Sequence, residues 1–198
     1  MALSDALDEQ VWSSCRAHRN PPGAAPPNLG RDGLQEAAQC LAGLVRWAGP
    51  SHLRERRWDL VARTELFDAW LIGWPPGGTV DLHDHGRSSG VVLVLEGTLV
   101  ETTPVRSHDG GLRLVRRVLG AGDSGLSFSA GHVHDVTNEG ERHAVSLHVY
   151  GPPLTTMTFF DIAETVLRPR GTGWVGGETE AGPTIASRLQ SGHQADAP

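Results

Sequence analysis

Two histidines one residue apart constrain this chain more than any other feature. They lie in Gly77-Gly78-Thr79-Val80-Asp81-Leu82-His83-Asp84-His85-Gly86, after a Pro-Gly turn and ahead of the aliphatic run Val91-Val92-Leu93-Val94-Leu95. In extended chain, residues i and i+2 project to one face, so His83 and His85 aim at one point. Neutral imidazole is the commonest ligand for first-row transition metals, and a single ion suits that point. Some fifty residues on, Gly131-His132-Val133-His134-Asp135-Val136-Thr137-Asn138 offers a third ligand. On a regular strand His132 and His134 share a face, so the two compete for that role. The fold has to bring these two segments together.

The remaining chain is patterned to do so. Residues 4 to 18 read as a helix, with Ser4 as N-cap and Leu7, Val11, Trp12 and Cys15 at helical spacing. Prolines at 21, 22, 26 and 27 make a loop, and a second helix is expected from Gly33 to Trp47, stopped by Gly49-Pro50. From Arg57 the period changes. Strands are expected at Phe67–Trp74, Thr79–His85, Val91–Leu95, Thr98–Thr102, Leu112–Leu119, His132–Val136 and Ala144–Tyr150, with a further one at Met157–Asp161. Short strands at near-regular spacing with Gly-rich turns predict an all-β antiparallel sandwich or barrel carrying short N-terminal helices. The expected organisation is a helical cap over residues 1–50, a barrel over 51–170 and a Gly-rich, partly disordered tail over 171–198.

Composition narrows the function. A chain of 198 residues suits one domain with a sizeable core. The net charge of −6 and the lack of a basic cluster argue against nucleic acid as a partner. No apolar run reaches the roughly 18 residues that span a bilayer, and the N-terminus lacks a secretory pattern, so a cytoplasmic protein with no membrane partner is expected. All 17 basic residues are arginine, which excludes lysine Schiff-base chemistry. Cys15 and Cys40 read as reduced thiols. With no cysteine near the histidines, iron–sulfur and thiolate-zinc sites are excluded.

On these residues the sequence resembles the cupin superfamily and, within it, the thiol dioxygenases of the cysteine dioxygenase type I family, bacterial branch. Gly77, His83, His85 and Gly97 fit the first cupin motif, whose glutamate position falls on Gly90. Gly131, His134 and Asn138 fit the end of the second; its proline is Ser129 here and its opening glycine is Asp123. This registration selects His134 over His132. The alternation Ser146-Leu147-His148-Val149-Tyr150 ahead of Pro152-Pro153 matches a Ser-x-His-x-Tyr run of the family. The resemblance covers roughly residues 57 to 161.

The resemblance implies a cupin double-stranded β-helix (a jelly-roll barrel) and a site of iron(II) held by His83, His85 and His134 without a carboxylate. It implies an oxidoreductase that adds both atoms of O2 to the sulfur of a small thiol, L-cysteine foremost, giving cysteine sulfinate. Tyr150 would position dioxygen or donate a hydrogen bond, oriented by His148 and Ser146. Arg57, counted back from His83 without gaps, falls where the cysteine-specific branch places its carboxylate-binding arginine; Arg54, Arg56 and Arg63 are nearby, and a short gap would change the choice. Trp70 and Trp74 flank the site strand, and either could wall the pocket. In the mammalian enzymes a cysteine stands where Gly90 stands here and crosslinks to the tyrosine; this chain, like many bacterial relatives, leaves Tyr150 unlinked. Alternatives are a dioxygenase for another thiol of the 3-mercaptopropionate type, a specialised cysteine-oxidising cupin of a biosynthetic pathway, and a non-catalytic ligand-binding cupin. A monomer or homodimer is expected.

Overall fold

The computed structural model describes residues 29–49, 52–108 and 110–174. The helix expected over residues 4 to 18, Cys15 and the tail from 176 onward lie outside them. Helix α1 (Arg31–Leu44) is followed by eleven strands: β1 (Arg57–Arg63), β2 (Asp68–Trp74), β3 (Thr79–His83), β4 (Ser89–Glu96), β5 (Thr98–Arg106), β6 (Leu112–Gly120), β7 (Leu126–Phe128), β8 (His134–Thr137), β9 (Ala144–Gly151), β10 (Thr156–Ala163) and β11 (Val166–Trp174). They form a five-stranded sheet, β1-β2-β9-β4-β7, facing a six-stranded sheet, β11-β10-β3-β8-β5-β6. The strands pair antiparallel. This is the double-stranded β-helix of the cupins.

Strand β9 explains how the layers are built. All eight of its residues are buried, because successive side chains enter two different cores. Leu147 and Val149 face outward, into a cluster with Val91, Leu93 and the α1 residues Leu34, Ala37, Ala38 and Leu41. The helix thus covers the outer face of the sheet. Ala144 and Tyr150 face inward, with Trp74, Val92, Leu99, Leu126, Phe128 and Val136. Fully burying a leucine such as Leu34 or Leu147 contributes roughly 1.5–3 kcal/mol, so the helix stripe is a large part of what holds the outer face.

Several boundaries differ from the sequence reading. Helix α1 ends at Leu44 and not at Trp47: Val45 is extended, and the Arg46 guanidinium donates to the carbonyls of Gly43 and Val45, acceptors that a longer helix would otherwise use. Strand β3 stops at His83, and β8 begins only at His134, so neither His85 nor His132 lies on a strand. Strands β1 and β11 were not anticipated; β11 carries the six-stranded sheet through Trp174, past the barrel end expected at residue 170. Among the described residues, no helix is long and apolar enough to cross a membrane.

Asn138 locks one end of the barrel. Its side-chain amide donates to the carbonyls of Trp74, Pro75 and Arg142, and its carbonyl oxygen accepts from Gly140 N. Its backbone exchanges hydrogen bonds with Gly77 and Gly78. One buried amide thereby ties the β2–β3 turn to the β8–β9 turn, which sets the relative position of the two histidine-bearing segments.

Candidate metal centre

His83, His85 and His134 converge inside the barrel. One ring nitrogen from each lies within 4.8 Å of the other two, and all three residues are buried. The pairing His83↔His134 across β3 and β8 sets two of them side by side. His85 follows two residues after the ladder ends, yet it still shares the face of His83. The chain stays extended there because Asp84 N donates to Thr158 O, while the Asp84 carboxylate accepts from Gly86 N and Thr158 N. Gly86, at φ +57°, then turns the chain away, a conformation that favours glycine.

The proton on each ring follows from its partner. His83 Nδ1 lies 2.7 Å from the Asp81 carbonyl. A carbonyl only accepts, so Nδ1 carries the proton and Nε2 presents its lone pair. His134 Nδ1 lies 2.9 Å from Glu101 Oε1 and likewise donates. Neither nitrogen of His85 has a hydrogen-bond partner among the described residues, although both are buried. Burying such a group unpaired is costly, and a metal ion is the partner that would satisfy it. Burial, followed by the neighbouring imidazoles, pushes His83 and His85 well below the usual histidine range, which keeps them neutral as ligands must be. The donor set therefore fits a metal held by three neutral imidazoles.

Glu101 is a site residue the sequence reading missed. It is buried on β5, and its Oε1 also lies 2.8 Å from His132 Nε2. Burial favours its neutral form, but the hydrogen bonds from His132 and His134 outweigh that and bring its carboxyl down to about 2. For His134 burial wins over the Glu101 contact, so the ring is neutral beside a carboxylate anion. His132 contacts the carboxylate through Nε2, and the histidine that gathers with His83 and His85 is His134. The glutamate, His132 and His134 also form a second group with metal-ligand geometry, sharing His134 with the first. Leu99 and Glu101 share one face of β5, and an acid in phase with a buried leucine was the available signal.

Ser146, His148 and Tyr150 do line one face of β9, and Trp74 joins them. Trp74 Nε1 donates to Ser146 Oγ at 2.8 Å. Ser146 Oγ is 2.9 Å from His148 Nε2, and His148 Nδ1 is 3.0 Å from Tyr150 Oη. Burial pushes His148 down to about 3, so the ring is neutral. The indole N–H donates to Ser146 Oγ, which keeps one proton and one lone pair. The relay therefore runs one of two ways: Ser146 donates to His148 Nε2 and His148 Nδ1–H to Tyr150 Oη, or Tyr150 donates to His148 Nδ1 and His148 Nε2–H to Ser146 Oγ. Burial and the Asp68 carboxylate raise the phenol, so it keeps its proton. The Tyr150 ring lies 4.9 Å from that of His85. Trp70 packs against the same interior cluster.

Arg57 is not brought to the site. It opens β1 with its side chain exposed, and the residue before it turns inward instead. The Arg56 guanidinium lies 5.2 Å from the Trp74 ring and 5.5 Å from Trp58, and donates to Thr79 O at 3.0 Å. Burial lowers its pKa, while Tyr150 and Asp81 act to raise it. One residue along a strand reverses the face, so Arg56, and not Arg57, turns toward Trp74.

The cysteine dioxygenase type I family model matches residues 46–163. Human cysteine dioxygenase type 1 is 30% identical over 99 residues, which is 48% of this chain and 50% of that protein. A germin-like protein of Arabidopsis thaliana, subfamily 1 member 2, is 36% identical over 80 residues, 40% of this chain and 34% of that one. The chain therefore spans half or less of the curated relatives it matches. A recombinant oxalate oxidase in complex with glycolate superposes with a TM-score of 0.44 at 23% identity, covering 57% of this chain and 59% of that chain. A cupin domain from Bordetella pertussis gives 0.38 at 20% identity, covering 52% and 98%. Likenesses at that level carry no functional argument. The family match, by contrast, takes in both histidine segments, Glu101 and all of β9: this chain belongs to the cysteine dioxygenase type I family.

Proposed function

We propose that the protein is a non-haem iron(II) thiol dioxygenase that converts a small carboxylate-bearing thiol, L-cysteine foremost, to its sulfinate. One observation carries this reading: three buried, neutral imidazoles converge beside a tyrosine that is hydrogen-bonded into a buried relay. Iron(II) on His83, His85 and His134 would supply the positions on which thiolate and dioxygen meet. The overall change is RSH + O2 → RSO2− + H+. Sulfur loses four electrons and dioxygen gains four, so no further reductant is required.

The protein's own residues do the rest. Arg56 offers a guanidinium that can pair a substrate carboxylate in two parallel hydrogen bonds, with Trp58 and Trp74 walling it. Tyr150 donates a hydrogen bond toward the reacting oxygens and keeps its proton throughout. In this reading Trp74 donates to Ser146, Ser146 donates to His148 Nε2, and His148 Nδ1–H holds the phenol oxygen from behind. Gly90 gives Tyr150 no thiol to crosslink. We also propose Glu101 as the group that orients His134, as carboxylates orient metal-bound histidines elsewhere.

The test is oxygen uptake by iron(II)-loaded protein with L-cysteine, 3-mercaptopropionate, cysteamine and mercaptosuccinate, products identified by mass. Uptake with L-cysteine matched by sulfinate supports the reading. Uptake only with a thiol lacking a carboxylate removes Arg56 from it. An iron-loaded protein silent across the panel overturns it and favours a ligand-binding cupin.

A further inference from the structure

We propose that Phe128 is a positioning residue of the metal centre, whose ring holds the His85 imidazole in its ligating orientation. The inference rests on the reading of His83, His85 and His134 as ligands. His83 is steered by the Asp81 carbonyl and His134 by the Glu101 carboxylate. His85 has no such bond on either nitrogen. It also lies beyond the end of β3, where hydrogen bonds of Asp84 and the His85 carbonyl fix the backbone but not the ring.

Two rings hold it instead. Phe128 stacks on His85 with centroids 4.8 Å apart and planes 26° apart, and Tyr150 lies at 4.9 Å. Phe128 also packs at 5.3 Å from His134 and 5.3 Å from His132, and it is buried. One phenyl ring therefore touches the ligand that lacks a hydrogen bond, a second ligand, and the histidine that shares Glu101.

Gly90 makes room for that ring. Tyr150, Gly90 and Phe128 are register partners across β9, β4 and β7. The glycine is a gap in a row of side chains, and Phe128 closes it. A Cβ built at Gly90 would lie 2.4 Å from Phe128 Cζ and 2.7 Å from Cε2, too close to coexist with the ring as placed. Strand β7 has only three residues, so packing over Gly90 contributes much of what fixes Phe128 itself. The chain thus uses a glycine and an aromatic ring to immobilise the face of the site that His85 and Tyr150 form.

The experiment titrates the metal-free protein with Co(II), following the ligand-field bands and competing with a chelator. Phe128→Leu removes the stacking partner. Gly90→Ala displaces the same ring from the other side and serves if the first variant folds poorly. Leu126→Ala, on the same strand and in the same core, controls for lost packing. Both ring variants are expected to weaken Co(II) binding about 10–100-fold, the usual effect of removing a group that orients a ligand, and to shift the bands. Leu126→Ala is expected to lower stability while leaving affinity and bands as in the parent. Parental affinity and bands in Phe128→Leu, with Co(II) bound through the three histidines, would overturn the role of Phe128 alone. A parent whose Co(II) uptake survives His83→Ala would overturn the ligand reading and this inference with it.

Discussion

Ser146→Ala removes one oxygen atom, yet it should destabilise the protein more than Tyr150→Phe does. Ser146 Oγ serves two buried partners at once, accepting from Trp74 Nε1 at 2.8 Å and meeting His148 Nε2 at 2.9 Å. Trp74 is 1% exposed and His148 4%, so water cannot replace the hydroxyl. Each orphaned group costs about 1–3 kcal/mol, which puts Ser146→Ala, with two of them, at roughly 2–6 kcal/mol. Tyr150→Phe keeps the ring against His85 and orphans only His148 Nδ1, for about 1–3 kcal/mol. Urea denaturation of the metal-free variants at neutral pH measures both. In a chain of this size a loss of ~2 kcal/mol lowers Tm by roughly 4–8 °C, so a thermal scan gives a second reading. A Ser146→Ala cost under about 0.5 kcal/mol, or one below that of Tyr150→Phe, would mean that the hydroxyl does not join the two rings.

Three further outcomes are expected. Arg56→Ala should raise KM for L-cysteine at least about tenfold, the loss of a charge-assisted pair, and leave cysteamine unaffected, while Arg57→Ala should change neither; steady-state kinetics on both thiols would show the reverse if Arg57 were the partner. The Glu101 carboxyl, at about 2 in the folded protein, lies below its ordinary value of 4.5. Its ionised form therefore stabilises the fold above that ordinary value, and the contribution is lost as pH falls toward about 2. Glu101→Gln should flatten the acid limb of a stability–pH curve for metal-free protein, and an unchanged limb would refute the depressed value. Removal of metal by a chelator should lower Tm, and Co(II) at 100 times Kd should restore about 2.7 kcal/mol; a Tm indifferent to both treatments would falsify the metal reading.

The parts of the site legible in the sequence are those fixed by strand period. The alternation in β9 forces Ser146, His148 and Tyr150 to one face, and any extended chain sends His83 and His85 the same way. What was not legible depends on register between strands. Arg56 and Arg57 differ by one residue, and the β1–β2 pairing carries an irregularity between Leu60 and Ala62 that counting along the chain cannot see. Glu101 comes from β5, and only the β5–β8 pairing brings it beside His134. Phe128 sits on a three-residue strand too short to show a period, and its place depends on the empty side of Gly90. Strands β1 and β11 carry little periodic signal: β1 is half or fully exposed and alternates poorly, and β11 holds Pro169 and two glycines.

Strand β9 carries a consequence for how sequences of this family can drift. Its outward residues Val145, Leu147 and Val149 answer to packing alone, chiefly against the helix and its neighbours. Volume-conserving exchanges among aliphatics are tolerated there, especially when α1 changes in step. Its inward residues Ser146, His148 and Tyr150 are joined by buried hydrogen bonds, and no apolar residue of similar size can make them. Divergence among relatives should therefore flicker with a period of two along these eight positions, and helix residues Leu34 and Leu41 should co-vary with the changing half only.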